Sequence, residues 1–193
     1  MPWIIAALPA AAVLIVLFVL LTDGRYFGKR LMRWVYDRFG PAIYRVQSPS
    51  ARWDALAEEL HLTGEESLLD VGTATGGLPL ALAARPGFSG RVVGVDWSPP
   101  MIEAAREQAQ RRGLQERASF RVVDVREGLP FSDGEYDLVC CLGLLETLPH
   151  PERVLAELAR VLAPGGALVL SLYRGVLSLD VALIDKPDKS RII

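Results

Sequence analysis

The stretch LLDVGTATGG, residues 68–77, constrains this chain more than any other. Apolar residues run into Asp70. Gly72, Gly76 and Gly77 then follow closely, ahead of the apolar run LPLALAA. A buried strand, a glycine-rich turn and a helix open an α/β unit of the kind that holds nucleotides or nucleosides at the strand end. Glycine permits positive φ and close approach of a ligand to the backbone. Asp70 narrows the choice, because a carboxylate there repels a pyrophosphate and attracts an ammonium or a sulfonium. Alone, such a loop is equally a strand-to-helix turn with no ligand, so the rest of the chain has to decide.

Downstream, short apolar runs alternate with helical patterns. Strands are predicted at 67–71, 91–96, 118–124, 136–143 and 167–173, and helices at 77–85, 98–112 and 151–162. Ser98 is placed to cap its helix and Gly113 to stop it, and Pro164-Gly165-Gly166 reads as the turn into the last strand. This alternation predicts an α/β, Rossmann-like, doubly wound parallel sheet of about five strands, covered on both faces. Right-handed crossovers and a switch point beside the first strand put ligands at the carboxyl ends of strands one, two and four. Asp70, Asp96 and Asp124 each end a predicted strand.

The loop resembles motif I of class I S-adenosylmethionine (SAM)-dependent methyltransferases, D-x-G-x-G-x-G, with Ala74 at the middle glycine. With GVDWSPPMIEAARE, VVDVREGLPF and YDLVCCLGLLETLPHPERVLAELARVLAPGG, the resemblance spans about residues 65–173. It implies a SAM-dependent methyltransferase with SAM as cofactor. By that resemblance Asp70, Gly72, Thr73 and Gly76 border the methionine and ribose part of the cofactor. Asp96 holds the ribose, Trp97 lies against the adenine, and Asp124 and Val125 take its edge. Leu142 and Gly143 face the methionine end. The plainer alternatives are a surface carboxylate for Asp96, a packed indole for Trp97 and a turn cap for Asp124.

No catalytic base is evident. Glu146 and His150 follow the fourth strand, and His150-Pro151 reads as a helix start. The Asn-Pro-Pro-Tyr motif of amino-methylating nucleic-acid enzymes is absent. Methyl transfer from a sulfonium depends mainly on in-line positioning, so a missing base does not argue against catalysis.

Residues 3–22 are uncharged and mostly aliphatic, and 20 residues give roughly 30 Å of helix, enough to cross a bilayer core. A cleaved signal peptide would need a basic segment before the apolar run and a small-x-small site after it, and neither is present. Residues 1–22 are therefore expected to be a single transmembrane anchor. No Lys or Arg precedes it and four follow by Arg33, which predicts a cytoplasmic globule.

Residues 23–47 form a basic, aromatic juxtamembrane segment, with a helix expected near 27–39 and ended by Gly40-Pro41. This segment suits the headgroup layer, or alternatively covers the domain. Its YDRFGPAIYRV resembles the N-terminal segment of quinone-methylating relatives. The net charge is −2, yet residues 1–46 carry six Lys/Arg against two Asp, so the remainder is strongly acidic. No overall basic field points to nucleic acid.

Residues 48–193 are read as the methyltransferase domain, opening with a helix in 48–62 that Ser50 caps. The two cysteines, Cys140 and Cys141, are adjacent in an apolar run and read as buried strand residues; with two histidines in all, no metal site is expected. The tail is short for the family. VLSLDVALI can form one strand or a short helix, which leaves a shortened C-terminal sheet edge for a partner, an oligomer, the basic neck or the membrane to cover.

The expected function is methylation of a small, lipophilic or membrane-proximal acceptor. The rival from another class is a degenerate SAM-binding scaffold, motivated by Ala74 and the short tail. A nicotinamide-dependent reductase is disfavoured by Asp70.

Overall fold

Six strands form one sheet in the order β3-β2-β1-β4-β5-β6, in a computed structural model that describes residues 29–47, 50–173 and 179–185. The strands are β1 (Ser67–Val71), β2 (Arg91–Asp96), β3 (Ala118–Val122), β4 (Tyr136–Cys141), β5 (Leu162–Tyr173) and β6 (Leu179–Asp185). The first five run parallel, and β6 adds antiparallel to β5. The helices are α1 (Lys29–Gln47), α2 (Ser50–Glu59), α3 (Gly77–Ala83), α4 (Pro99–Arg111) and α5 (Pro151–Val161).

The core strands are buried on both faces, which is why they read as continuous apolar runs. Side chains alternate between two packed layers. Leu68, Val92, Leu138 and Cys140 pack with Leu82 of α3 and Ile102 of α4. Leu69, Val93, Val139 and Cys141 pack with Val154 and Leu158 of α5. Each fully buried Leu or Val contributes roughly 1.5–3 kcal/mol. Both cysteines are free buried thiols, and burial pushes each thiol's pKa upward. Among the described residues no group of His, Cys, Asp and Glu is arranged to hold a metal ion.

β1 and β2 have the bounds that the sequence predicts. Other elements differ. The helix α1 does not end at Gly40-Pro41 but carries Pro41 inside it and runs on to Gln47. Proline there removes one N–H bond, the one to Asp37 of the preceding turn, and the AIYRV that follows contains no second breaker. β5 starts five residues early, at Leu162, and absorbs Pro164-Gly165-Gly166 as an irregularity rather than following it. Leu162 pairs with Tyr136, the register shifts, and pairing resumes at Ala167 with Leu138; Gly165 at φ +81° allows the detour. The tail, open to either reading, supplies the antiparallel strand β6, paired over its whole length from Ala167–Asp185 to Tyr173–Leu179. β3 and β4 are two residues shorter than predicted, because their last residues turn outward into loops.

The chain divides into two units, Met1–Gly40 and Pro41–Ile193, and the sheet lies in the second. Within the described part of the first unit, Arg33 pairs with Asp37 at 3.8 Å and Trp34 packs edge-on to Phe39. Among the described residues no helix is long and apolar enough to cross a membrane. The predicted anchor, residues 1–22, lies outside the described residues.

Candidate functional site

The turn after β1 is held by the end of β2. The N–H groups of Gly72 and Thr73 both donate to the Val95 carbonyl, at 2.9 and 3.0 Å. Gly72 (φ +80°), Ala74 (φ +48°) and Gly76 (φ +79°) then lie in the left-handed region, and α3 begins at Gly77. This conformation turns the Ala74 N–H toward β2, where Asp96 Oδ2 accepts it at 3.0 Å. Asp96 Oδ1 accepts the Ser98 N–H at 3.0 Å. Asp96 is only 4% exposed, so one carboxylate ties the β1 turn to the β2 turn.

Asp70 ends up 5% exposed at the same edge. Burial pushes its pKa up to about 7, and the Asp96 carboxylate adds to the rise while the Thr73 hydroxyl opposes it. Thr73 Oγ1 is itself buried and makes no hydrogen bond of good geometry. A buried carboxyl with so perturbed an affinity for its proton marks a candidate functional position.

Asp124 follows β3 and caps the short turn Val125–Glu127. Its Oδ1 accepts the Arg126 N–H at 3.1 Å and Arg126 Nε at 2.7 Å, and its Oδ2 accepts Arg126 Nη2. The Arg126 guanidinium also lies over the half-buried Trp97 ring, 5.3 Å from its centroid. The Val125 side chain is buried in the layer shared with Val95.

Leu142 is half-buried against the layer containing Leu138 and Cys140. The Gly143 N–H donates to Ser171 Oγ at 2.6 Å, and nothing lies within 4 Å of where a Cβ on Gly143 would project. His150 sits ahead of α5, exposed, with Nδ1 3.2 Å from Glu152.

The predicted residues thus gather on the carboxyl ends of β3, β2, β1 and β4, with one reassignment among the glycines. A Cβ on Gly76 would meet the Phe120 ring at 2.7 Å and Ala105 at 3.1 Å, so packing against β3 and α4 already demands glycine there. Gly94 is pressed likewise, with Phe120 at 2.7 Å and Thr73 Oγ1 at 2.8 Å of its would-be Cβ. Gly72 faces Leu144, whose side chain would stand 3.2 Å from an added methyl. Leu144, Ser171 and Arg126 were not among the predicted site residues. For Leu144 and Ser171 the signal is tertiary only. For Arg126 a local signal existed: a cation two residues after a candidate binding acid.

Three carboxylates on adjacent strand ends fit a ligand bearing an ammonium, a sulfonium, ribose hydroxyls and an amine, and they disfavour a pyrophosphate. The comparisons agree with this chemistry. The sequence model of the methyltransferase-domain family matches residues 68–166. The chain is 43% identical over 121 residues to a demethylmenaquinone methyltransferase of Thermus thermophilus, covering 62% of this chain and 53% of that one. It is 32% identical over 129 residues to the chloroplastic tocopherol O-methyltransferase of Arabidopsis thaliana, covering 67% and 36%. The chain therefore spans about half the length, or less, of these curated relatives. Among solved structures, that of the cyclase SpnF superimposes with a TM-score of 0.63 at 27% identity, covering 72% of this chain and 58% of that one. Motif, strand-end acids and these likenesses together show that the chain belongs to the SAM-dependent methyltransferase-domain family.

Proposed function

We propose that this protein transfers a methyl group from SAM to a small lipophilic acceptor at a membrane surface. The observation that carries this reading is the row of carboxylates, Asp70, Asp96 and Asp124, at the carboxyl ends of three adjacent strands beside the left-handed loop. When bound, the cofactor supplies a methyl group on a positively charged sulfur. Asp70 and Thr73 receive the cationic end, with Gly72 and Gly76 allowing the loop to curve around it. Asp96 orients the ribose while keeping its two backbone bonds. Trp97 and Asp124 hold the adenine, and the Val125 backbone meets its edge. Leu142 and Gly143 bound the reacting end, where the space beyond Gly143 leaves room for an acceptor. Orientation of this kind can lower a barrier by about 7–11 kcal/mol without a general base.

Two relatives are named for demethylmenaquinone and tocopherol, both greasy acceptors, and this supports a lipophilic substrate. The apolar segment 3–22 and the basic-aromatic segment after it support a single-pass anchor with the domain on the cytoplasmic side.

One observation favours a second reading, a domain that binds SAM without transferring methyl. Ala74 stands at a motif glycine. Calorimetric titration of the detergent-solubilised full chain with SAM and S-adenosylhomocysteine, beside Asp96→Ala, tests the site. Binding that the substitution abolishes, while the variant keeps native circular dichroism, is expected. Labelled methyl transfer into quinone and tocopherol precursors then separates the readings: transfer establishes the enzyme, and binding without transfer to any lipid or soluble acceptor selects the scaffold.

A further inference from the structure

Arg126 occupies the adenine end of the rim. Its guanidinium grips both oxygens of Asp124, with Nε to Oδ1 at 2.7 Å and Nη2 to Oδ2, and the same group covers the Trp97 ring at 5.3 Å. One side chain therefore engages both groups that flank that end. The pair is not locked in the core: the Arg126 side chain is 43% exposed and that of Asp124 26%. An exposed ion pair of this kind is weak and screened by salt, so it opens easily. A planar fork that satisfies a carboxylate and stacks on an indole is also a close chemical substitute for a purine with an amino group.

We propose that Arg126 is a latch on the adenine pocket, holding Asp124 and Trp97 until an adenosyl ligand displaces it. This rests on the reading of the Asp70–Asp96–Asp124 rim as the SAM site. A carboxylate neutralised by a guanidinium is a poor acceptor for an adenine amine, and a ring face under a cation is closed to a base. The amine must therefore replace the guanidinium on Asp124. A purine with a carbonyl at that position cannot do so. It presents an acceptor to Asp124, so once Arg126 is displaced or removed it faces a bare carboxylate. The latch thereby sets how much the site gains from the adenine amine, and it acts as a specificity-determining residue rather than a stabilising one.

The test is calorimetric titration of the full-length wild type, Arg126→Gln, Arg126→Lys and Asp96→Ala with S-adenosylhomocysteine and S-inosylhomocysteine, with tryptophan fluorescence recorded in parallel. Arg126→Gln is expected to bind the adenosyl ligand roughly three- to tenfold tighter, the scale of one exposed ion pair and one cation–π contact. The inosyl ligand gains nothing, so the ratio between the two ligands widens. Arg126→Lys falls between, because it keeps the charge and loses the fork. The advantage of Arg126→Gln shrinks as salt is raised to about 0.5 M. Unchanged or weaker adenosyl binding in Arg126→Gln overturns the latch, as does an equal gain for the inosyl ligand. If Asp96→Ala keeps native circular dichroism and wild-type binding is lost in it in that case, the site stands and only the latch falls. If neither wild type nor Arg126→Gln binds while both keep native circular dichroism, the site reading falls and the latch with it.

Discussion

Asp96 accepts its hydrogen bond from Ala74, a non-glycine residue held at φ +48°. The strain in the loop and the anchoring of the acid are therefore one arrangement: the left-handed turn is what brings the Ala74 N–H to the carboxylate. Backbone strain of this kind persists where surrounding bonds over-determine it.

Replacing Asp96 should accordingly damage the fold as well as the ribose site. Asp96→Ala leaves two buried N–H groups, of Ala74 and Ser98, without their acceptor. With each charge-assisted bond worth about 1.5–3 kcal/mol, a loss of roughly 3 kcal/mol is expected. Urea unfolding measures it, and a loss below about 1 kcal/mol would mean that the loop finds other acceptors. Asp96→Asn keeps one acceptor oxygen but turns an NH2 toward a backbone N–H, so it should recover less than half of the loss.

Ala74→Gly should work in the opposite direction. A left-handed L-residue costs roughly 1–2 kcal/mol, and glycine returns some of that through its greater unfolded-state entropy. The net expectation is a gain of about 0.5 kcal/mol in stability. The missing methyl also opens the loop backbone toward the ligand, so affinity for S-adenosylhomocysteine should rise. A variant that is less stable than wild type would show that the buried methyl of Ala74 packs usefully.

The glycines separate into those held by packing and those held by space. Gly76→Ala combines φ +79° with a Cβ at 2.7 Å from the Phe120 ring, and Phe120 and Ala105 are both buried. A cost of about 2–5 kcal/mol is expected from strain and overpacking together. Gly143→Ala shares a positive φ of +70° but meets nothing within 4 Å, so only about 1–2 kcal/mol is expected. Thermal unfolding of the pair checks the contrast, and Phe120→Leu should partly restore Gly76→Ala while doing nothing for Gly143→Ala.

That contrast marks where sequence reading stops. The strands β1 and β2 were legible to the residue because burial on both faces writes an unbroken apolar run. The strand-end acids were legible because the sheet topology places consecutive carboxyl ends side by side. Gly76 was legible as a required glycine, but its reason was not, since Phe120 reaches it from another strand. Pro41 and Pro164-Gly165-Gly166 look like breaks in the sequence because local punctuation says nothing of the neighbouring turn or strand that carries the chain through them. The engagement of Asp124 and Trp97 by Arg126 needed the geometry of two strand ends at once.

Asp70 makes the site pH-dependent. Its folded pKa stands near 7 against an ordinary value of 3.8, so the native state binds the proton more tightly than the unfolded chain does. Below about pH 4 both states are protonated and Asp70 contributes no difference. Between about pH 4 and 7 the unfolded chain ionises first, and stability falls as pH rises. Above 7 both are ionised and the penalty is complete, on the order of 4 kcal/mol. Asp70→Asn should remove this slope from urea midpoints measured across that range. A cationic ligand needs the carboxylate, so wild-type affinity for SAM should rise with pH and level off above about 7. Proton release should accompany binding at about pH 6, visible as a binding enthalpy that changes between buffers of different ionisation enthalpy. Flat SAM affinity across that interval would remove Asp70 from contact with the cationic end.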